Sequence, residues 1–237
     1  MRHVSSAAQY AGILMFGFAA AAAAQVPITR EPRHRVVFEN AQFRILDVNI
    51  PPGDTSLDHT HEHDIATVVM TGGAATRTQS PGETWGPVRP SRPVGDASLA
   101  DYTGKPGRHQ IQNVGDIPYQ LFAVENLRQG NWTTGPPLSA GGTTQTSESR
   151  AFRVYDVRLV PALRQILHVH DATAIVVLIG GRVMSAGAES KTAGADAPVG
   201  LKQLVQTGEW VLVPAGESHY LVGLGTADAR VVEIEVR

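Results

Sequence analysis

The chain repeats itself. Pro52-Gly53, His59-x-His61 and Gly72 return as Pro161-Ala162, His168-x-His170 and Gly181, each displaced by 109 positions without a gap. His109 returns as His219 and Glu125 as Glu235, both displaced by 110. Two His pairs can coincide by chance, but a third His and a closing segment in the same register are much harder to dismiss. A period of this length in 237 residues means a duplicated domain of roughly 100 residues per copy, a usual domain size.

Each copy reads as strands. Short apolar or alternating runs such as Phe43–Val48, Thr67–Met70, Leu121–Val124, Ile175–Ile179, Trp210–Val213 and Val231–Val236 are bounded by Gly, Pro, Asn and Asp. β-branched enrichment with frequent turn residues predicts an all-β sandwich or barrel, and nothing beyond Pro27 sustains a capped helical period for three turns. Gly135–Ser149 is small, polar and Pro/Gly-rich, and is expected to be a linker or long surface loop. Pro81–Asp96 holds four Pro and three Gly, and is expected to form a proline-structured loop able to cover the first barrel, with Arg89 and Arg92 as anion contacts or ordinary surface arginines. Trp85 and Trp210 are expected to pack rather than to present a substrate platform.

The beginning of the chain is an address. Arg2 and His3 precede an uninterrupted apolar run of 14 residues, Ala11 to Ala24, ending in Ala-x-Ala. A membrane-spanning helix needs about 20 such residues, so a secretory signal peptide over 1–24 is the expectation, with a periplasmic or secreted mature protein and no membrane association after cleavage. A formal charge of −2 lacks the positive field of a dedicated nucleic-acid binder. With no cysteine there is no disulfide scaffold, iron–sulfur site or cysteine nucleophile, and any metal must be held by nitrogen and oxygen. No Gly-x-Ser-x-Gly elbow, P-loop or dinucleotide fingerprint occurs.

Residues i and i+2 of a strand share a face, so His59 pairs with His61 and His168 with His170. A third His about 48 residues on, His109 or His219, can close a facial set of three nitrogens around a divalent ion (Fe, Mn, Ni or Zn), leaving positions open for water or substrate. The bland alternative is surface or hydrogen-bonded core histidines. His63 is either a spare donor near the first set or an exposed residue at the barrel mouth.

These residues resemble the cupin superfamily, and specifically a bicupin. The first family motif, Gly-x5-His-x-His-x3,4-Glu-x6-Gly, is matched by Gly53, His59, His61 and Gly72, and by Ala162 (in place of Gly), His168, His170 and Gly181. The second motif is matched by Gly208, Pro214, Gly216 and His219, with Gly223 where Asn is usual. In the first half it is degraded, Gly107 and His109 being one residue too close while Asn113 is kept. The resemblance covers about residues 36 to 237. It implies an all-β chain of two tandem double-stranded β-helix (jelly-roll) barrels: 1–24 signal, 25–134 first barrel, 135–150 linker, 151–237 second barrel. It implies metal ligation by His59, His61, His109, His168, His170 and His219.

The family's metal-binding Glu falls on Ile65 and Ala174, so the implied sites are three-His sites or sites that have lost their ion. Three neutral imidazoles leave a divalent ion its full charge, which favours an anionic or chelating ligand. Glu125 and Glu235 are either substitute acids or strand residues turned to solvent or to an arginine such as Arg128 or Arg230. Cupin dioxygenases include three-His iron sites, so the resemblance implies dioxygenase-like chemistry on a small oxygen-bearing molecule. The first half is slightly favoured for it, its motif Gly53 and Asn113 both being kept. The alternative is a non-catalytic ligand-binding or structural cupin without metal. A homodimer through exposed strands is compatible with this architecture.

Overall fold

A computed structural model describes residues 25–128, 135–161, 165, 167–187 and 202–237; the expected signal segment and Ala162 lie outside them. Nearly every regular element among them is a strand, as the alternation requires. The first half forms two five-stranded sheets. One runs Val26–Pro27, His59–His61, Gly107–Asn113, Ala75–Gln79, Arg89–Pro90. The other runs His34–Glu39, Phe43–Ile50, Tyr119–Asn126, Ile65–Val69, Ala97–Ala100. The second half repeats the plan. One sheet runs Thr143–Glu148, Phe152–Leu159, Ala229–Val236, Thr173–Gly180, Trp210–Val213, and the other runs His168–Val169, Ser218–Gly223, Val183–Gly187, Lys202–Leu204.

The duplication is visible in the registers. Phe43 lies opposite Asn126 and Phe152 opposite Val236; His59 lies opposite His109 and His168 opposite His219. Gly181 adopts φ 76°, where a Cβ would strike the Asp228 carbonyl and Ala229, so that motif position admits only glycine.

Each long strand separates two cores by alternation. Leu46, Val48, Ile50, Leu121 and Ala123 point into the first barrel, and Tyr155, Val157, Leu159 and Val231 into the second. The other faces of the same two sheets meet. Phe43, Ile45, Val68, Phe122 and Val124 pack in one cluster with Phe152, Val154, Ile175, Val177 and Ile234. The two barrels therefore share their largest apolar face.

Two segments differ from the sequence reading. The stretch read as linker or loop carries the strand Thr143–Glu148, paired along Phe152–Leu159, and Leu138 packs against the second barrel's interior. Polar residues there suit a sheet edge that faces water on its outer side. The proline-rich segment is pinned rather than lid-like. Arg89–Pro90 pairs with Ala75–Gln79, Val94 packs into the shared core, and Arg92 donates to the Ala97 carbonyl (2.8 Å) and Ser98 Oγ (2.9 Å). Trp210 packs edge-on to Phe38 at 5.6 Å, while Trp85 carries the Arg77 guanidinium over its ring at 4.9 Å.

Candidate metal centres

Both predicted histidine triads assemble inside their barrels. His59, His61 and His109 offer ring nitrogens within 4.8 Å of one another, as do His168, His170 and His219. In each barrel the first and third His face each other across an antiparallel pair, and the second follows two residues on, on the same face. A turn with Gly216 at φ 77° delivers His219. His63 is half-buried and belongs to neither group.

The second centre contains a fourth candidate donor that the sequence reading missed. Glu233 is fully buried among the three rings: its carboxylate lies 3.9 Å from His168 Nε2, 3.9 Å from His219 Nε2 and 3.8 Å from His170 Nε2. Ala174 lies opposite Glu235 on the neighbouring strand, and the carboxylate at the site comes from that strand, two residues earlier, at Glu233. In the first half the matching place, 110 positions earlier, is Ala123. A cavity of about 150 Å³ opens there, bordered by Ala123, His34, His61, Tyr102 and His109.

Glu125 and Glu235 do not face solvent, and neither pairs with Arg128 or Arg230. Both are buried on the barrel side, because Val124, Ile234 and Val236 claim the opposite face for the shared core. Glu125 Oε2 accepts from Arg44 at 2.6 Å. Glu235 bonds His170 Nδ1 at 2.8 Å, and Arg153 and the Tyr155 hydroxyl donate to it at 3.4 Å each. Arg128 donates to the Val236 carbonyl and Arg230 to Asp156.

The electrostatics suit a cation. Burial, and then the neighbouring rings, pull His59 and His109 down to about 4 and His61 and His219 to about 2, so all four are neutral imidazoles at physiological pH. Burial pushes the Glu233 carboxyl up to about 7. His59 donates Nδ1–H to the Leu57 carbonyl at 2.8 Å, which leaves Nε2 as the lone-pair nitrogen. His59 Nε2, both nitrogens of His61 and both oxygens of Glu233 have no hydrogen-bond partner. Orphaned buried polar atoms cost about 1–3 kcal/mol each, and a bound cation would satisfy them. Donors within 4.8 Å nearly match the span of ligands each about 2.0–2.2 Å from one ion. The residues present therefore fit a divalent metal, with three donors in the first barrel and four in the second. His170 also carries the carboxylate support typical of metal-ligating histidines. Around the first centre, Tyr102 stacks on His61 at 4.9 Å, and buried Asp64 holds its loop by accepting from the Tyr102 and Thr103 N–H groups.

No sequence-family model and no curated protein sequence matches this chain. Solved structures do match its shape. A salicylate 1,2-dioxygenase from Pseudaminobacter salicylatoxidans superposes with a TM-score of 0.60 at 10% identity, over 89% of this chain and 78% of its own. A cupin 2 conserved barrel domain protein from Leptotrichia buccalis gives 0.52 at 11%, over 86% and 88%. The oxalate decarboxylase of Bacillus subtilis, in a structure concerned with its Mn(II) centres, gives 0.53 at 13%, over 83% and 69%. Identities this low speak for the fold alone. Two like barrels in tandem, each built from paired sheets, give this chain a fold similar to that of these cupin-barrel structures.

Proposed function

We propose that the protein is an exported metal-dependent bicupin whose first barrel is the reactive centre. There a small oxygen-bearing molecule meets an ion held by His59, His61 and His109. The second barrel holds its ion with His168, His170, His219 and Glu233 chiefly for stability. The observation that carries this division is the cavity of about 150 Å³ beside His61 and His109, where Ala123 replaces the carboxylate that fills the second centre. Three protein ligands leave more positions open than four, and the first centre has a cavity beside those positions. Fe or Mn suits the nitrogen and oxygen donors, and the Mn(II) of the similar decarboxylase and the similarity to a salicylate dioxygenase support that class. When bound, such an ion supplies Lewis acidity and a route for electrons to O₂.

The chain's own residues do the rest. The neutral triad adds no charge, so an anionic oxygen of the ligand is favoured. Ile65, Ile111 and Leu121 exclude water around an apolar body. The competing reading, a binding module without turnover, is favoured by the missing carboxylate.

Metal analysis of wild type, His109→Ala and His219→Ala tests the assignment. We expect two ions per chain, one lost in each variant. In Co(II)-loaded protein, azide should change the visible spectrum of His219→Ala more than that of His109→Ala. Less than about a tenth of an equivalent after reconstitution would end the metal reading, since full ligand sets bind stoichiometrically.

A further inference from the structure

The first centre has a neighbour that the second lacks. Glu31 is buried beside it and accepts three hydrogen bonds: from the Arg33 N–H (2.6 Å) and His34 Nδ1 (2.6 Å) on one oxygen, and from the Leu57 N–H (3.0 Å) on the other. A carboxylate receiving donors on both oxygens makes His34 Nδ1 the protonated ring nitrogen. His34 is itself buried and lines the cavity, so Nε2 is the polar atom its ring offers there. Its ring lies 4.6 Å from that of His59 and 6.5 Å from that of His61, centroid to centroid. An oxygen hydrogen-bonded to His34 therefore sits alongside the three-His set rather than across the cavity from it. Glu31 also braces the set, since Leu57, whose N–H it holds, is the residue whose carbonyl orients His59. At the matching positions of the second half stand Ala140 and Thr143, so the pair belongs to the open barrel only.

We propose that His34, oriented by Glu31, is a positioning residue that selects ligands with two neighbouring oxygens, one for the ion held by His59, His61 and His109 and one for His34. This rests on the first barrel being the ligand-receiving metal centre. The apolar walls suit a flat hydrocarbon body, which makes catechol a fitting probe and phenol, with a single oxygen, its control.

Both are titrated into the Co(II)-loaded protein, with the visible spectrum reporting binding and elemental analysis reporting cobalt. His34→Phe keeps the ring's shape and should weaken catechol about tenfold, the worth of one charge-supported hydrogen bond. It should leave phenol binding and cobalt content unchanged. His34→Gln, whose amide can reach the place of Nε2, should recover most of the loss. A packing role predicts the reverse order, with Phe tolerated and Gln weak, and that result overturns the proposal. So does loss of cobalt from the first centre in His34→Phe, which would make His34 a ligand. Absence of catechol binding by cobalt-loaded wild type overturns it as well. Absence of cobalt from the first barrel of wild type sinks the metal-centre reading itself.

Discussion

The two barrels share their strands, registers and histidine triads, and differ in what stands against the triad. In the second, Glu233 fills the space and Glu235 grips His170 from behind. In the first, Ala123 leaves a cavity, Glu125 turns to Arg44, and Glu31–His34 borders the opening. One scaffold has thus been tuned by single residues on two strands, the last of each barrel and the one that leads into it. The shared sheet faces leave little else free to change, because they form a common core. The lesson is that closure and openness are separable from the fold that carries them.

The largest expected effect tests whether the halves are one cooperative unit. Phe43 and Phe152 occupy matching positions 109 apart, and both are buried in the shared core. Phe152→Ala should cost about 3–5 kcal/mol, and Phe43→Ala a similar amount. Calorimetry should show each variant unfolding in a single lowered transition. Two transitions, one unmoved, would mean the barrels are independent and the comparison is between neighbours rather than halves.

That shared face also explains what was legible in the sequence. The repeat, the strand runs and the triads were readable because alternation and equal spacing survive without knowledge of packing. Glu233 was not. On a strand with one solvated face, a Glu between aliphatic residues points to water. Here Val232, Ile234 and Val236 bury the supposed outer face against the other barrel, so Glu233 and Glu235 must point inward. Only the sheet-on-sheet contact supplies that sign. His34 was missed for another reason: it precedes the motif and reaches the site through the His34–Glu39 strand, whose relation to His59 is tertiary. Thr143–Glu148 was missed because an exposed edge strand carries few apolar residues.

The next effect concerns Glu233 directly. Glu233→Gln should weaken metal binding by the second barrel by at least about 100-fold, the upper range for losing even a supporting partner. Ala123→Glu should strengthen binding in the first while closing its cavity to catechol. The metal-free protein gives the same comparison a pH signature. Four imidazoles lie below 6.5 in the folded state, so the unfolded chain binds more protons as pH falls, and stability is lost below about pH 6.5. Glu233 acts with the opposite sign. Its folded pKa of about 7 lies above 4.5, so the folded state holds the extra proton and stability falls as pH rises between those values. Metal-free Glu233→Gln should therefore gain melting temperature relative to wild type as pH rises from 4.5 to 7. A difference that stays flat across that window would show that Glu233 is not buried as a protonated acid.

The smallest effects come from the two matched acids behind the sites, and their inequality is the finest test of the comparison. Arg44 and Arg153 occupy equivalent places, as do Glu125 and Glu235, yet only Glu235 reaches a ligand histidine. In the second barrel, then, the carboxylate fixes the His170 tautomer, and Glu235→Gln should weaken metal binding there by about 10–100-fold. In the first barrel His61 Nδ1 has no such partner, and the ring is held by stacking on Tyr102 instead. Glu125→Gln should leave metal affinity unchanged, with its cost confined to stability through the loss of the Arg44 pair. Titrating each variant against a chelator of known affinity reads both constants. Equal losses at Glu125 and Glu235 would show that the first centre is wired like the second, and that its openness rests on Ala123 alone.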